Sequence, residues 1–256
     1  MKQHRTDLRK HLPTPTLSGL RVAVTGGTSG LGLALVRQLR EGGAQVALVA
    51  RTEEAVERVA LETGALGLVG DVGRKEDIYP LALQLTGQLG GLDVLINNAS
   101  SLGPTPLLPL ADTDCEDLEL ALAVNLVGPF RLTKALFGAL TASAREGRCA
   151  VVVNVSSDAA VNAYPHWGAY GASKAGLLHL TSVWNEEAKS LGVQFLSIDP
   201  GDMDTPLHAA AIPDADTSQL KRPEDAASEV LQAVLQALSP QEPEERFQSS
   251  LLGEPS

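Results

Sequence analysis

Apolar residues along the chain fall into two rhythms. Short unbroken runs at 21–25, 45–50, 66–69, 94–97, 150–155 and 194–198 are rich in Val, Leu and Ile and end at turn-forming residues, the pattern of strands buried on both faces. Between them, apolar positions recur every third or fourth residue. Leu31, Leu35 and Leu39 line one face of a helix over 30–40, which Gly42-Gly43 ends. The same spacing predicts helices at 53–62, 76–89, 114–144, 169–191 and 223–238. Pro80 is expected to disturb the third of these six helices, Gly128-Pro129 to bend the fourth, and Pro223 to open the last. Residues 100–113 form a Pro-rich loop, and 202–220, with little apolar period, is a loop or lid. Regular alternation of strand and helix calls for an α/β fold, a parallel sheet covered on both faces. No repeat or linker divides the chain. Residues 17–240 therefore read as one domain, between an arm at 1–16 and a tail at 241–256.

Charge narrows the partners. A net charge of −11 argues against nucleic acid, which wants a basic stripe, and against an anionic membrane surface. The arm carries Lys2, Arg5, Arg9 and Lys10 but no apolar core, so it does not read as a secretory signal. No apolar run reaches the roughly 18 residues of a membrane span. Cys115 and Cys149 read as reduced, buried thiols, which suits a cytoplasmic protein, and neither has the company of a metal site.

The turn after the first strand, Thr25-Gly26-Gly27-Thr28-Ser29-Gly30-Leu31-Gly32, opens directly into a helix. Glycines there permit a tight turn and close approach of a pyrophosphate to the helix N-terminus, so Gly26, Thr28, Ser29, Gly30 and Leu31 are assigned to a dinucleotide. An NAD site wants a carboxylate at the end of the second strand. Here that place holds Arg51, whose planar guanidinium suits a 2′-phosphate, and the cofactor is read as NADP(H). Asp71, followed by Val72, is placed either to touch the adenine or to cap the next helix. Asn97, Asn98 and Ala99 end the fourth strand over the same crevice, where their amides can tie strand ends together and line the pocket.

Chemistry concentrates in Tyr170-Gly171-Ala172-Ser173-Lys174. A phenol ordinarily titrates near 10. Lys174, one helical turn on, shares its face, and a cation there favours the phenolate and draws the phenol towards neutrality. Tyr170 becomes a general acid for a carbonyl oxygen or a base for an alcohol. Ser157, at the end of the fifth strand, is placed to hold that oxygen, although Ser156 beside it differs only by register. Asn125, an amide among Leu, Val and Ala, reads either as a satisfied helix kink near Pro129 or as a water-bridged link to Lys174.

Taken together, TGGTSGLG, NNAS, the NLVG around Asn125, NVSS, YGASK and DPGDMDT resemble, in order and spacing, the short-chain dehydrogenase/reductase family over residues 17–238. The resemblance implies a Rossmann-like, doubly wound parallel sheet of about seven strands and a tetrad at Asn125, Ser157, Tyr170 and Lys174. It also implies contacts from Lys174 to the nicotinamide ribose and from Pro200, Gly201, Met203 and Thr205 to the nicotinamide end. Homodimers or homotetramers would form through the helices at 116–144 and 169–191. Three positions depart from the family pattern: Ser100 stands for a glycine, Ser29 for a basic residue, and Arg246-Phe247-Gln248 is a poor match to the usual last strand. Ser101-Leu102-Gly103 and Trp167 further resemble the branch of sepiapterin and benzil reductases, which implies a flat apolar substrate pocket walled by Leu102, Tyr164, His166, Trp167 and Met203. The expected activity is hydride transfer between NADPH and a ketone or alcohol. A non-catalytic binding protein of the same fold is the competing reading, against which the intact Ser157, Tyr170 and Lys174 argue. An epimerase or dehydratase would need a longer substrate domain than the chain after Leu191 allows.

Overall fold

The computed structural model describes residues 16–148 and 150–239. The basic arm up to residue 15, Cys149, the acidic tail and the expected last strand at 246–248 lie outside the described residues. Six strands, β1 (Arg21–Thr25), β2 (Gln45–Ala50), β3 (Leu66–Val69), β4 (Val94–Asn97), β5 (Ala150–Val155) and β6 (Val193–Ile198), form one sheet in the order β3-β2-β1-β4-β5-β6. Every pairing is parallel, with Val22 opposite both Val46 and Val94. Among the described residues the sheet has six strands rather than seven.

Strand side chains alternate between two cores because the strand period is two. Val22, Val24, Val46 and Leu48 face α1 (Gly30–Glu41), α2 (Glu53–Thr63) and α8 (Pro223–Leu238), packing on Leu35, Val56 and Val230. Ala23, Ala47, Leu95 and Val152 face the opposite way, towards Leu81 and Leu85 of α3 (Lys75–Leu89) and Leu132, Leu136 and Leu140 of α5 (Gly128–Arg145). Strand order reverses between β1 and β4, which opens a crevice at the carboxyl ends of the strands.

Several expectations need correction. The helix anticipated over 114–144 divides into α4 (Cys115–Leu122), a π-helical turn at Ala123–Val127, and α5. The cause is Pro129: it has no N–H to donate to the carbonyl of Asn125, four residues back, and the chain widens there. Pro80 sits inside α3 without breaking it, because the bond it forfeits belongs to the first turn, at Glu76. The segment read as a loop at 202–220 contains α7 (Pro206–Ala211), started by Thr205, whose side chain accepts from His208 N, and its ends are joined by a bridge between Met203 and Lys221. Cys115 is exposed, not buried. The continuous segment Cys115–Arg145, 31 residues, is also long and apolar enough to cross a membrane by composition, with mean hydropathy 1.3 over its best 18-residue window. Isolated polar residues such as Asn125 and Thr133 hide this in a search for unbroken apolar runs. Its Leu132, Leu136 and Leu140 are fully buried against the sheet, so it is a core helix.

At the amino end of the sheet, Asp93 is fully buried and bound by Arg21 (Nη2 to Oδ1, 2.7 Å) and Arg148 (Nη2 to Oδ2, 2.8 Å), with Ser143 donating as well. Burial disfavours the carboxylate, but the bonds from Arg148, Arg21 and Ser143 together hold it well below its usual range. Asp93→Ala leaves two guanidiniums without this partner. It should lower unfolding free energy by about 3 kcal/mol, the low end for a broken buried pair because Arg148 is half exposed and can rehydrate. Denaturant titration measures this. Since the folded value lies below the unfolded one, the difference is present above about pH 4 and shrinks on acidification.

Candidate active site

The crevice is a cleft of about 910 Å³, lined by the glycine-rich turn, the ends of β2 to β6, the start of α6 (Gly168–Ala188), and α7. Every site residue expected from the sequence lines it except Asn97, Asn125 and His166.

At one end the turn after β1 presses against β4. Gly26 has φ of 67°, and a Cβ there would lie 2.9 Å from Ala99 Cα, so only glycine fits. Thr25 Oγ1 accepts from Asn98 N (3.0 Å) and Ala99 N (3.1 Å), while Asn98 Nδ2 donates to Thr25 O (2.9 Å). Asn97 instead ties β4 to β5 through Asn154 (2.8 Å). The two amides therefore divide the roles left open for them: Asn97 is structural, and Asn98 holds the turn and lines the cleft. Helix α1 begins after Ser29 with no side-chain cap and no acidic residue in its first turn. Its first N–H groups, with Thr28, Ser29, Gly30 and Leu31 around them, fit a pyrophosphate. Arg51 lies exposed at the end of β2, and no carboxylate pairs with it among the described residues. Asp71 and Val72 line the same end. Asp71 is not a helix cap: its Oδ1 accepts from Gly73 N (2.8 Å) in a local turn, and α3 starts after Arg74.

At the other end Tyr170, in the first turn of α6, is almost fully buried, with Trp167 edge-on to its ring at 5.6 Å. Both serines line the cleft. Ser156 is buried, its N–H donating to Ile198 O (2.7 Å) to extend the β5–β6 ladder, whereas Ser157 is only half-buried, its Oγ donating to Asp158 Oδ1 (3.2 Å) and accepting from Ala159 N (3.2 Å). Lys174 is buried, its Nζ donating to Val155 O (2.8 Å) and lying 5.6 Å from the centre of the Tyr170 ring.

Electrostatics correct one expectation. Burial pushes the Tyr170 phenol up, and the hydroxyls of Ser157 and Ser100 only partly offset this, while Asp199 and Asp158 add to it. Lys174 is itself pulled down to about 8 by burial, Asp199 opposing. The amine alone therefore does not bring the phenol to neutrality in this state, because desolvation outweighs it. Asn125 lies behind the wall, fully buried. Its Nδ2 donates to Ser101 O (2.7 Å) and Ser173 Oγ (2.9 Å), and its Oδ1 accepts from Ser101 N (2.8 Å) and Ser100 Oγ (3.2 Å). All four bonds of that amide are taken, none of them by Lys174.

Leu102, Tyr164, Trp167 and Met203 wall this end of the cleft together with Leu207 of α7 and Ile212 just after it. His166 does not join them; it turns the chain, with φ of 73°. Sequence reasoning missed Asp158, whose Oδ2 accepts from Tyr164 OH (2.7 Å) at the mouth, and Ser173. Both adjoin the residues singled out, Asp158 after Ser157 and Ser173 before Lys174.

The family profile described as short chain dehydrogenase matches residues 21–216. An uncharacterised short-chain type dehydrogenase/reductase of Sinorhizobium fredii is 35% identical over 193 residues, 75% of this chain but only 34% of that protein. A 2,5-dichloro-2,5-cyclohexadiene-1,4-diol dehydrogenase of Sphingobium indicum is 33% identical over 75% of each chain. Among solved structures, a 3-ketoacyl-(acyl-carrier-protein) reductase from Brucella melitensis complexed with NADH superposes with TM-score 0.79 at 26% identity, over 88% of this chain and 93% of that one. A short chain dehydrogenase from Burkholderia cenocepacia in complex with NADP shares the fold, with TM-score 0.76 at 24% identity over 86% of this chain and 92% of that one.

Proposed function

Since the chain belongs to the short-chain dehydrogenase/reductase family, we propose that it moves hydride between NADP(H) and a ketone or alcohol, with Tyr170 exchanging the proton. The observation that carries this reading is the meeting of Tyr170, Ser157 and Lys174 in one cleft with the glycine-rich turn. When bound, the nicotinamide supplies the hydride in reduction and accepts it in oxidation. Around it, Ser157 donates to the substrate oxygen, and Tyr170 passes its proton to that oxygen as the negative charge develops. Lys174 holds positive charge beside the phenol ring and would bind the ribose of the bound nucleotide. Pro200, Gly201, Met203 and Thr205 would pack on the nicotinamide end, with α7 closing over substrate and excluding water. The test is NADPH consumption against a panel of diketones, pterins, 3-ketoacyl thioesters and steroids. Turnover with at least one ketone is expected, and none with any carbonyl would sink the reading.

Relatives of the fold have been solved with NADH and with NADP, so this chain's own residues must decide the cofactor. Arg51 supports NADP(H) by offering two parallel donors where an NAD site would carry an acid. Arg51→Ala should weaken NADPH binding roughly 10- to 100-fold, as for a lost hydrogen bond to a charged group, and leave NADH nearly unchanged. Fluorescence titration with both nucleotides checks this; equal losses would remove Arg51 from the role.

We read residues 17–240 as one catalytic unit acting in the cytoplasm, and assemble it as a homodimer or homotetramer through α5 and α6. The exposed Phe130 and Val183 on those helices support that face. Sedimentation showing a monomer at assay concentration would contradict it.

A further inference from the structure

Beside the reacting groups stands a carboxylate that the proposed reaction does not use. Asp158 follows Ser157 directly and opens a short 3-10 turn, Asp158–Ala160, which the Ser157 side chain caps. The Ser157 hydroxyl accepts from Ala159 N (3.2 Å) and gives its one proton to Asp158 Oδ1 (3.2 Å). On the other side of the carboxylate, Tyr164 OH donates to Oδ2 (2.7 Å). Ser157, Asp158 and Tyr164 all line the cleft that holds Tyr170. Among the described residues no basic side chain forms an ion pair with Asp158.

A hydroxyl has a single proton to give. To donate to a substrate oxygen, Ser157 must withdraw that proton from Asp158 Oδ1. Of the two bonds to the carboxylate this is the longer and the one that yields, while the shorter bond from Tyr164 keeps Asp158 in place. The same bond raises the Tyr164 phenol above its ordinary value, so Tyr164 remains a donor at neutral pH. A carboxylate is a stronger acceptor than a ketone, so the exchange is unfavourable for a ketone with nothing to offer Oδ1. A substrate carrying its own donor next to the carbonyl restores the balance. Its carbonyl oxygen takes the Ser157 proton, and its donor replaces Ser157 on Oδ1. The reach is short, because the carbonyl oxygen and Oδ1 would both lie one hydrogen-bond length from Ser157 Oγ.

Charge selects the donor. Asp158, Asp199 and Asp202 line this end of the cleft, and the only lysine or arginine among the described residues there is Lys174, buried with its Nζ on Val155 O. A cationic N–H makes a stronger bond to a carboxylate than a neutral O–H does. We propose that Asp158 makes the site selective for ketones with an ammonium group on the carbon next to the carbonyl, binding that group as Ser157 turns to the carbonyl oxygen. In reduction the carbonyl carbon gains hydride, NADPH is oxidised, the oxygen gains the Tyr170 proton, and the product is a vicinal amino alcohol. Leu102, Trp167 and Leu207 give the rest of the ketone an apolar wall, so an aryl group suits it.

This selectivity rests on the proposed reaction but fails separately from it. NADPH consumption gives kcat/KM for α-(methylamino)acetophenone, held below the pKa of its amine, and for α-hydroxy- and α-methoxyacetophenone. The unaltered protein should favour the amine roughly 10-fold or more over both, as for a hydrogen bond to a charged group. Asp158→Asn should lose most of that preference while reducing the methoxyketone at least as well as before, since no charge then holds the Ser157 proton. Glu57→Gln, on the exposed face of α2, removes the same unit of charge and should keep the preference. Equal turnover of the three ketones by the unaltered protein, which needs no variant, would overturn the proposal. So would an Asp158→Asn protein that keeps the preference or loses all three activities alike, or a Glu57→Gln protein that loses it. No turnover of any carbonyl would instead overturn the reaction on which it rests.

Discussion

Tyr170→Phe should reduce hydride transfer roughly 10³-fold or more while NADPH binds as before, as expected when a general acid and its oxygen ligand are lost together. The substitution removes one oxygen from a side chain that is almost wholly buried, so packing against Trp167, Leu102 and Ala159 survives. What disappears is the proton. Without it the substrate oxygen must take hydrogen from water, which the ring and its neighbours keep out. Stopped-flow observation of NADPH absorbance separates the two effects, and nucleotide fluorescence reports binding independently. A Tyr170→Phe protein that turns over near the original rate would remove the phenol from the chemistry.

Lys174→Met should also cost orders of magnitude, roughly 10²- to 10³-fold in kcat, by a different route. Methionine fills most of the space but takes away the charge under the phenol ring and the bond to Val155 O. Burial already raises the phenol, and losing the amine 5.6 Å from its ring centre should raise it further. The pH dependence has a definite sign. Lys174 is held at about 8, so its help to the phenolate is complete below that value and fades as pH rises through it. The activity limb set by this charge should be present in the unaltered protein and absent from Lys174→Met. A variant that keeps both the rate and the limb would show that the amine serves only to hold β5 against α6.

Both predictions concern a pair legible in the sequence from its spacing alone, one turn apart on a helix. The strands were legible for a similar reason: Val22, Val24, Val46 and Leu48 belong to runs too apolar to have a wet face, and β1 to β5 occupy the residues their composition marks. Less legible were the features that depend on what a side chain meets across space. That Asn125 binds Ser101 and Ser173 follows from the fold of 98–103 over α4, which no local rhythm encodes. Lys174's charge was readable, but not that burial of Tyr170 itself would hold the phenol above its ordinary value. His166 could be placed near the pocket by its neighbours, yet its backbone conformation points the chain away from it. Helix α7 escaped notice because Leu207 and His208 among alanines give no amphipathic stripe, and its start depends on Thr205 and Pro206.

The most direct test of the central claim follows the atoms. A single turnover of the unaltered protein with NADPH deuterated at its transferring position, and a ketone that supports NADPH consumption, should place deuterium on the carbinol carbon of the product. The Tyr170→Phe protein, with the same nucleotide bound, should place almost none there in the same time. Equal deuterium transfer by both proteins, or a product alcohol without deuterium from the unaltered one, would contradict the account.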